Sequence, residues 1–261
     1  MNKHLTAVLG LPPLPATLRY DGTPLSKIRQ KAVCDALQMY EVGIRDIIIQ
    51  NIGDLPLLQK VGIETTTAMT MLSAAVRDAL PSDCSLGISV LMNDGAAAFA
   101  IAHAVGADYI RAKIYVGAMV GASGIEYGCM DEVLCLKQKL NSPVRIWADV
   151  HDRTGTPLGN PSLTDACEHA LYKGLADVLI ITGKNFDESL AMLSSVKAAF
   201  PNATVYLGGG AKPDNLQRCV QYSDGVIVGS YLKQNGVMHL PLDNQRMGEF
   251  MNAWRATGER E

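Results

Sequence analysis

Four side chains that could move protons or stabilise charge fall in two pairs, each with one residue between its members. Arg111 and Lys113 form the first pair, Asp149 and His151 the second. A β-strand turns alternate side chains to one face, so strands here would present both members of each pair together. A carboxylate beside an imidazole is a candidate acid–base pair, and nearby cations would stabilise an enolate-like charge. That equipment suits proton abstraction next to a carbonyl, or carbon–carbon cleavage. The same residues admit other roles. Arg111 and Asp149 would be costly in a barrel interior unless paired, so a structural salt bridge is the alternative. Asp149 and His151 also offer two donors to a divalent metal, although no third ligand stands at a suitable spacing. Lys113, or Lys184 in Thr182-Gly-Lys, becomes a Schiff-base candidate if its pKa is depressed.

A second set of residues points to an anion. Residues 203–210 read Ala-Thr-Val-Tyr-Leu-Gly-Gly-Gly, and residues 224–230 read Asp-Gly-Val-Ile-Val-Gly-Ser. Each is an apolar run ending in glycine. Backbone N–H groups at such ends approach an oxyanion closely, which makes Gly208, Gly209, Gly210, Gly229 and Ser230 a candidate phosphate cradle. The plainer alternative is that these glycines serve turns and packing. Asn51, Asn93 and Asp94 follow other apolar runs and are candidate site residues as well. Asn93-Asp94-Gly95 also fits a turn and helix cap.

These residues need elements to position them, and the pattern alternates short apolar strands with amphipathic helices throughout. Strands are expected at 7–11, 45–50, 85–92, 108–114, 144–150, 177–182, 204–207 and 225–228. Helices are expected at 26–40, 65–80, 95–105, 130–140, 163–173, 186–200, 213–222 and 244–255. Ser26 is the expected cap of the first. Eight βα units predict a closed (β/α)8 TIM barrel, with the polar residues above at the C-terminal ends of its strands. An open doubly wound sheet is the second choice. One domain over 1–261 is expected, because no linker or composition break divides the chain. Residues 117–128 are glycine-rich, carry Glu126, and read as a mobile flap or an ordinary long loop. Residues 152–161 form a second candidate lid, from which Arg153 would meet an anionic substrate.

Composition excludes several classes. Hydrophobic residues are 48% and charged residues 19%, which argues against disorder. A net charge of −3 without a basic run leaves no field for nucleic acid. No apolar run approaches the roughly 18–20 residues that a membrane helix needs. The N-terminal residues show no cleavable signal pattern. The six scattered cysteines contain no Cys-x-x-Cys pair and read as buried, reduced thiols of a cytoplasmic protein. Self-association through the helical ring is expected by analogy with other barrels.

Several phrases together resemble the BtpA family, which includes a sugar-operon protein called SgcQ. They are Asn51-Ile-Gly-Asp-Leu-Pro, Thr65-Thr-Thr-Ala-Met-Thr, Gly87-Ile-Ser-Val-Leu-Met-Asn-Asp, Tyr109-Ile-Arg and Trp147-Ala-Asp. Asp224-Gly-Val-Ile-Val-Gly-Ser-Tyr-Leu-Lys with Asn235-Gly completes the set. The resemblance spans nearly the whole chain and implies a phosphate-binding TIM barrel. The chain departs from the family pattern at Gly10-Leu11, where members commonly have His-Leu, and at Arg153-Thr154, where they often have Lys-His. The expected function is an enzyme acting on a small phosphorylated sugar or related metabolite, an isomerase, epimerase or aldolase-type lyase. The alternative implied by the family name is a non-catalytic factor for assembly or stability of a membrane complex, as in photosystem I biogenesis.

Overall fold

The structure, a computed structural model, describes residues 3–258. The outermost residues of the expected 1–261 span lie outside the described residues. Eight parallel strands close into a barrel: β1 (His4–Gly10), β2 (Asp46–Gln50), β3 (Ser85–Ser89), β4 (Tyr109–Ala112), β7 (Arg145–Val150), β9 (Val178–Ile181), β10 (Val205–Leu207) and β11 (Gly225–Val228). The ring returns from β11 to β1, with His4 opposite Gly225. Helices α1 (Leu25–Glu41), α2 (Ile63–Ala79), α3 (Gly95–Val105), α4 (Met130–Leu140), α5 (Leu163–Glu168), α6 (Phe186–Ala199), α7 (Leu216–Tyr222) and α8 (Asn244–Ala256) connect the strands and end the barrel. No helix among the described residues is long and apolar enough to cross a membrane.

Why the strands form is visible in their alternation. Ile47, Ile49, Ile110, Ile146, Leu179 and Ile181 pack outward against the helices in one large core. Val8, Ile48, Tyr109, Trp147, Ile180, Tyr206 and Ile227 point inward and form a separate core. Strands buried on both faces therefore read as continuous apolar runs. The inner column is filled in layers. At the bottom Asp46 is fully buried and accepts hydrogen bonds from Thr6 Oγ1 and the Tyr109 hydroxyl, both at 2.6 Å. Above it Tyr109 stacks on Trp147 with centroids 3.6 Å apart, and Tyr206 meets Trp147 edge-on. Glycine makes this possible, because a Cβ on Gly87 would lie 2.2 Å from the Tyr109 ring.

Five expectations require correction. Residues 117–128 are an antiparallel hairpin, β5 (Ala118–Gly121) and β6 (Gly124–Tyr127), and not a featureless flap. The second expected lid contributes β8 (Thr156–Pro157) to the same small sheet, so paired backbone groups order both loops. The first helix begins at Leu25 with Pro24, not Ser26, at its cap, since Pro24 O already accepts from Lys27 N and Ile28 N at 2.8 and 3.2 Å. The fifth helix leaves α-geometry at His169–Lys173, a π-helical turn closed by Gly174 N donating to His169 O at 2.8 Å. Cys34 and Cys135 are exposed, contrary to the expectation of burial throughout. Burial pushes the Cys129, Cys167 and Cys219 thiols up to about 12, which keeps them protonated and unreactive.

The interior packing predicts opposite outcomes for two glycine substitutions. Gly87→Ala should destabilise by about 1–3 kcal/mol, because its methyl has nowhere to go but the Tyr109 ring. Gly248→Ala, inside α8 with nothing within 4 Å of the added carbon, should stabilise by about 0.5–1 kcal/mol. Urea unfolding of both variants checks the pair. Equal effects would contradict this account of the core.

Candidate functional site

Above the aromatic layer, Arg111 and Asp149 take the next inward positions on β4 and β7. Arg111 Nε and Nη2 each donate to a different Asp149 oxygen at 2.8 Å. The pair is bidentate and almost fully buried. Burial opposes the guanidinium charge, but Asp149 more than offsets it and the Arg111 pKa is raised. Over this floor opens a cavity of about 580 Å³ at the C-terminal ends of the strands.

One wall is backbone. Gly208, Gly209 and Gly210 follow β10, and Gly229 and Ser230 follow β11; all five line the cavity. The N–H groups of Gly209, Gly210 and Gly229 have no backbone acceptor among the described residues. Gly208 differs from the expectation of a phosphate donor, since its N–H is committed to Ile181 O at 3.0 Å. Its value is spatial: a Cβ there would meet Thr182 Oγ1 at 2.2 Å. Thr182 Oγ1 is buried without a partner, and Thr182 lines the cavity. Arg153, Lys212 and Arg246 bring three cations to the same cavity. Arg153 comes close to the glycines, its Nη2 being 4.0 Å from where a Gly209 Cβ would stand.

The other wall carries Lys113 and Asp152, whose ammonium and carboxylate form an ion pair. Burial pushes the Asp152 carboxyl up, but the Lys113 charge and hydrogen bonds from Lys113 and Thr154 outweigh it and hold the pKa at about 2. Lys113 also borders a smaller cavity of about 80 Å³ beneath the hairpin, shared with Asp149 and His151.

The expected acid–base pair of Asp149 and His151 does not assemble at the main cavity. Both Asp149 oxygens are held by Arg111. His151 lies beyond the end of β7 with φ of 56°, so strand alternation no longer governs its direction. It borders only the smaller cavity, where burial lowers its pKa and leaves Nε2 without a partner. The donor set does not suit a divalent ion between these two residues, because the guanidinium already occupies the carboxylate. Among the described residues no three His, Cys, Asp or Glu side chains form a metal-holding group.

Several other candidates hold loops in place. Asp94 caps α3 by accepting from Ala97 N at 3.0 Å, and it also accepts from Val61 N. Asn93 bridges to Ile114 N and O, and Asn51 accepts from Leu91 N at 2.7 Å. Glu126 sits on β6 with its pKa raised by burial, and Lys184 is exposed; neither borders the main cavity. The residues missed from sequence are Asp152, Thr182, Lys212 and Arg246. Asp152 adjoins His151, and Lys212 follows the triple glycine by two residues, so a local signal existed for both. Arg246 had none, because α8 alone carries it to the mouth.

The BtpA family model matches residues 1–256. An uncharacterised protein of Pyrococcus horikoshii is 36% identical over 239 residues, covering 90% of this chain and 89% of its own length. The photosystem I biogenesis protein BtpA of Synechocystis is 34% identical over 255 residues, covering 97% of this chain and 88% of its own. The solved structure of 3-hexulose-6-phosphate synthase from Salmonella typhimurium has a TM-score of 0.59 at 13% identity, covering 98% of this chain and 100% of that one. A likeness at that identity concerns the barrel alone. The two relatives and the nearly complete family match carry the assignment: this chain belongs to the BtpA family.

Proposed function

We propose that the main cavity binds a small phosphorylated sugar or related metabolite, and that the protein is an isomerase, an epimerase or an aldolase-type lyase. The observation that carries this reading is the two-ended cavity. At one end, the free N–H groups of Gly209, Gly210 and Gly229 stand with Arg153, Lys212 and Arg246, a donor set that suits a phosphate dianion. At the other end, Lys113 and Asp152 face the place that the rest of such a ligand would fill.

The chemistry follows from that opposition. Both reaction types pass through an enolate-like species. The Lys113 ammonium would stabilise the charge growing on the carbonyl oxygen, and Arg111 would add a fixed positive floor. Asp152 is ionised at any ordinary pH and would accept the carbon-bound proton once substrate loosens its ion pair. His151, neutral near pH 7, shares the smaller cavity with Lys113 and is assigned the role of proton relay. Thr182 Oγ1 would donate to a substrate oxygen. Asp94, Asn51, Asn93, Glu126 and Lys184 are assigned to the support of the loops. The same reading carries the expectations of a cytoplasmic setting and of self-association.

One observation favours a second reading, a non-catalytic role in assembly of a membrane complex. Val120, Ile125, Tyr127 and Leu158 lie exposed on the small sheet, outside the cavity. The Synechocystis relative is named for photosystem I biogenesis, which supports this reading. Under this reading Val120→Lys with Ile125→Lys abolishes rescue of cells from which the gene has been deleted, while Gly209→Asp does not. The enzyme reading expects the reverse.

The anion end is tested by thermal shift with inorganic phosphate and a panel of sugar phosphates. The unaltered protein should be stabilised by at least one. Gly209→Asp should lose that stabilisation with little change in its unliganded Tm, because Arg153 is the only neighbour within 4 Å of the added carbon. No shift from any member of the panel would remove the phosphate reading.

The Lys113–Asp152 pair is tested by pH. The folded pKa of Asp152, about 2, lies below the unfolded value of about 3.9. Its contribution is therefore present above about pH 4 and is lost as pH falls from about 4 to about 2, on the order of 2 kcal/mol. Asp152→Asn should be less stable at neutral pH, since it leaves Lys113 unpaired, and should show a shallower fall in acid. Matching slopes in urea denaturation between pH 5 and 2 would show that the pair does not form.

A further inference from the structure

A second cavity, of about 600 Å³, shares Met238 as a wall with the main one. Leu11, Pro12 and Pro13 after β1, together with Leu240, give it apolar lining. Lys233 reaches it from the turn after β11. This lysine is only 2% exposed. Its side chain has no hydrogen bond or ion pair among the described residues.

A lysine enclosed to this degree with no counter-ion on its ammonium is costly. Burial lowers the Lys233 pKa, Asp35 acts to raise it and Lys31 to lower it. Asp35 does not serve as the partner, since both its oxygens are held by Lys31, at 3.0 and 2.8 Å. Arg19 and Lys31 border the same cavity, so three cations face a single carboxylate. An entering anion would supply what the fold omits. The apolar lining distinguishes this place from the glycine-walled phosphate end and suits a ligand with a hydrocarbon body.

We propose that this cavity is a second binding site, for a small organic acid whose carboxylate pairs with Lys233 and whose apolar body lies against Pro12, Pro13 and Leu240. It is independent of the phosphate reading, because none of its charged residues borders the main cavity.

Benzoate serves as the probe, titrated into protein carrying 13C-labelled lysine and followed by NMR. One lysine resonance, absent from Lys233→Met, should shift saturably. Affinity should fall at least about thirtyfold in Lys233→Met, read by calorimetry, and roughly two- to fivefold in Arg19→Glu at the rim. Gly209→Asp should leave benzoate binding intact, which separates this site from the phosphate site. If Lys233→Met does not fold, crystals of the unaltered protein soaked in benzoate decide. A carboxylate within hydrogen-bond distance of Lys233 Nζ supports the site. Absence of benzoate from the cavity at saturating concentration overturns it, as do shifts spread evenly over surface lysines.

Discussion

The bidentate pair between Arg111 and Asp149 is the constraint on which the rest of this barrel depends. It sits where the packed interior ends and the open mouth begins. Below it the column is filled by Trp147, Tyr109 and Tyr206; above it are polar walls and space. Neither charge would be tolerated there alone, and removing one partner of such a buried pair typically costs about 3–5 kcal/mol. Arg111 borders the main cavity and Asp149 the smaller space under the hairpin. One interaction thereby closes the core and forms the floor of the site.

Cations gather at the mouth. Arg153, Lys212, Arg246 and Lys113 all border it, although the chain as a whole carries a net charge of −3. Asp152 balances Lys113 there, so the excess positive charge lies with Arg153, Lys212 and Arg246, and a low-dielectric cleft concentrates such a field even in a mildly acidic protein. Beside these cations the N–H groups of Gly209, Gly210 and Gly229 are left without backbone acceptors among the described residues. Gly208 contributes differently, by leaving room for Thr182. Three neighbouring glycines thus divide between N–H donation and space.

The barrel was legible in sequence because strand and helix periods are local properties. Residues 95–105, 130–140 and 225–228 matched their elements to the residue. The glycine ends were legible for the same reason. Legibility failed where direction left the regular period. Asp149 and His151 share a face only while the strand continues, and His151 enters the left-handed region one residue past its end. Asp152, the next residue, borders the main cavity instead. Asp94 and Asn93 had the right chemistry and the right strand end, yet their side chains are consumed by a helix cap and by Ile114.

By itself, then, the sequence determined the order of elements, the closed barrel and the two glycine ends beside each other. Apolar periodicity and glycine positions specify these through short-range geometry. The tertiary structure alone decided that Arg111 takes Asp149, that Lys113 takes Asp152, and that Arg246 arrives from the last helix. The two ion pairs join residues 38 and 39 positions apart, and burial lets a charge accept only a partner within reach. Lys233 carries the same lesson. Its type and position were plain in the chain, but only packing shows that it is enclosed and left without a counter-ion.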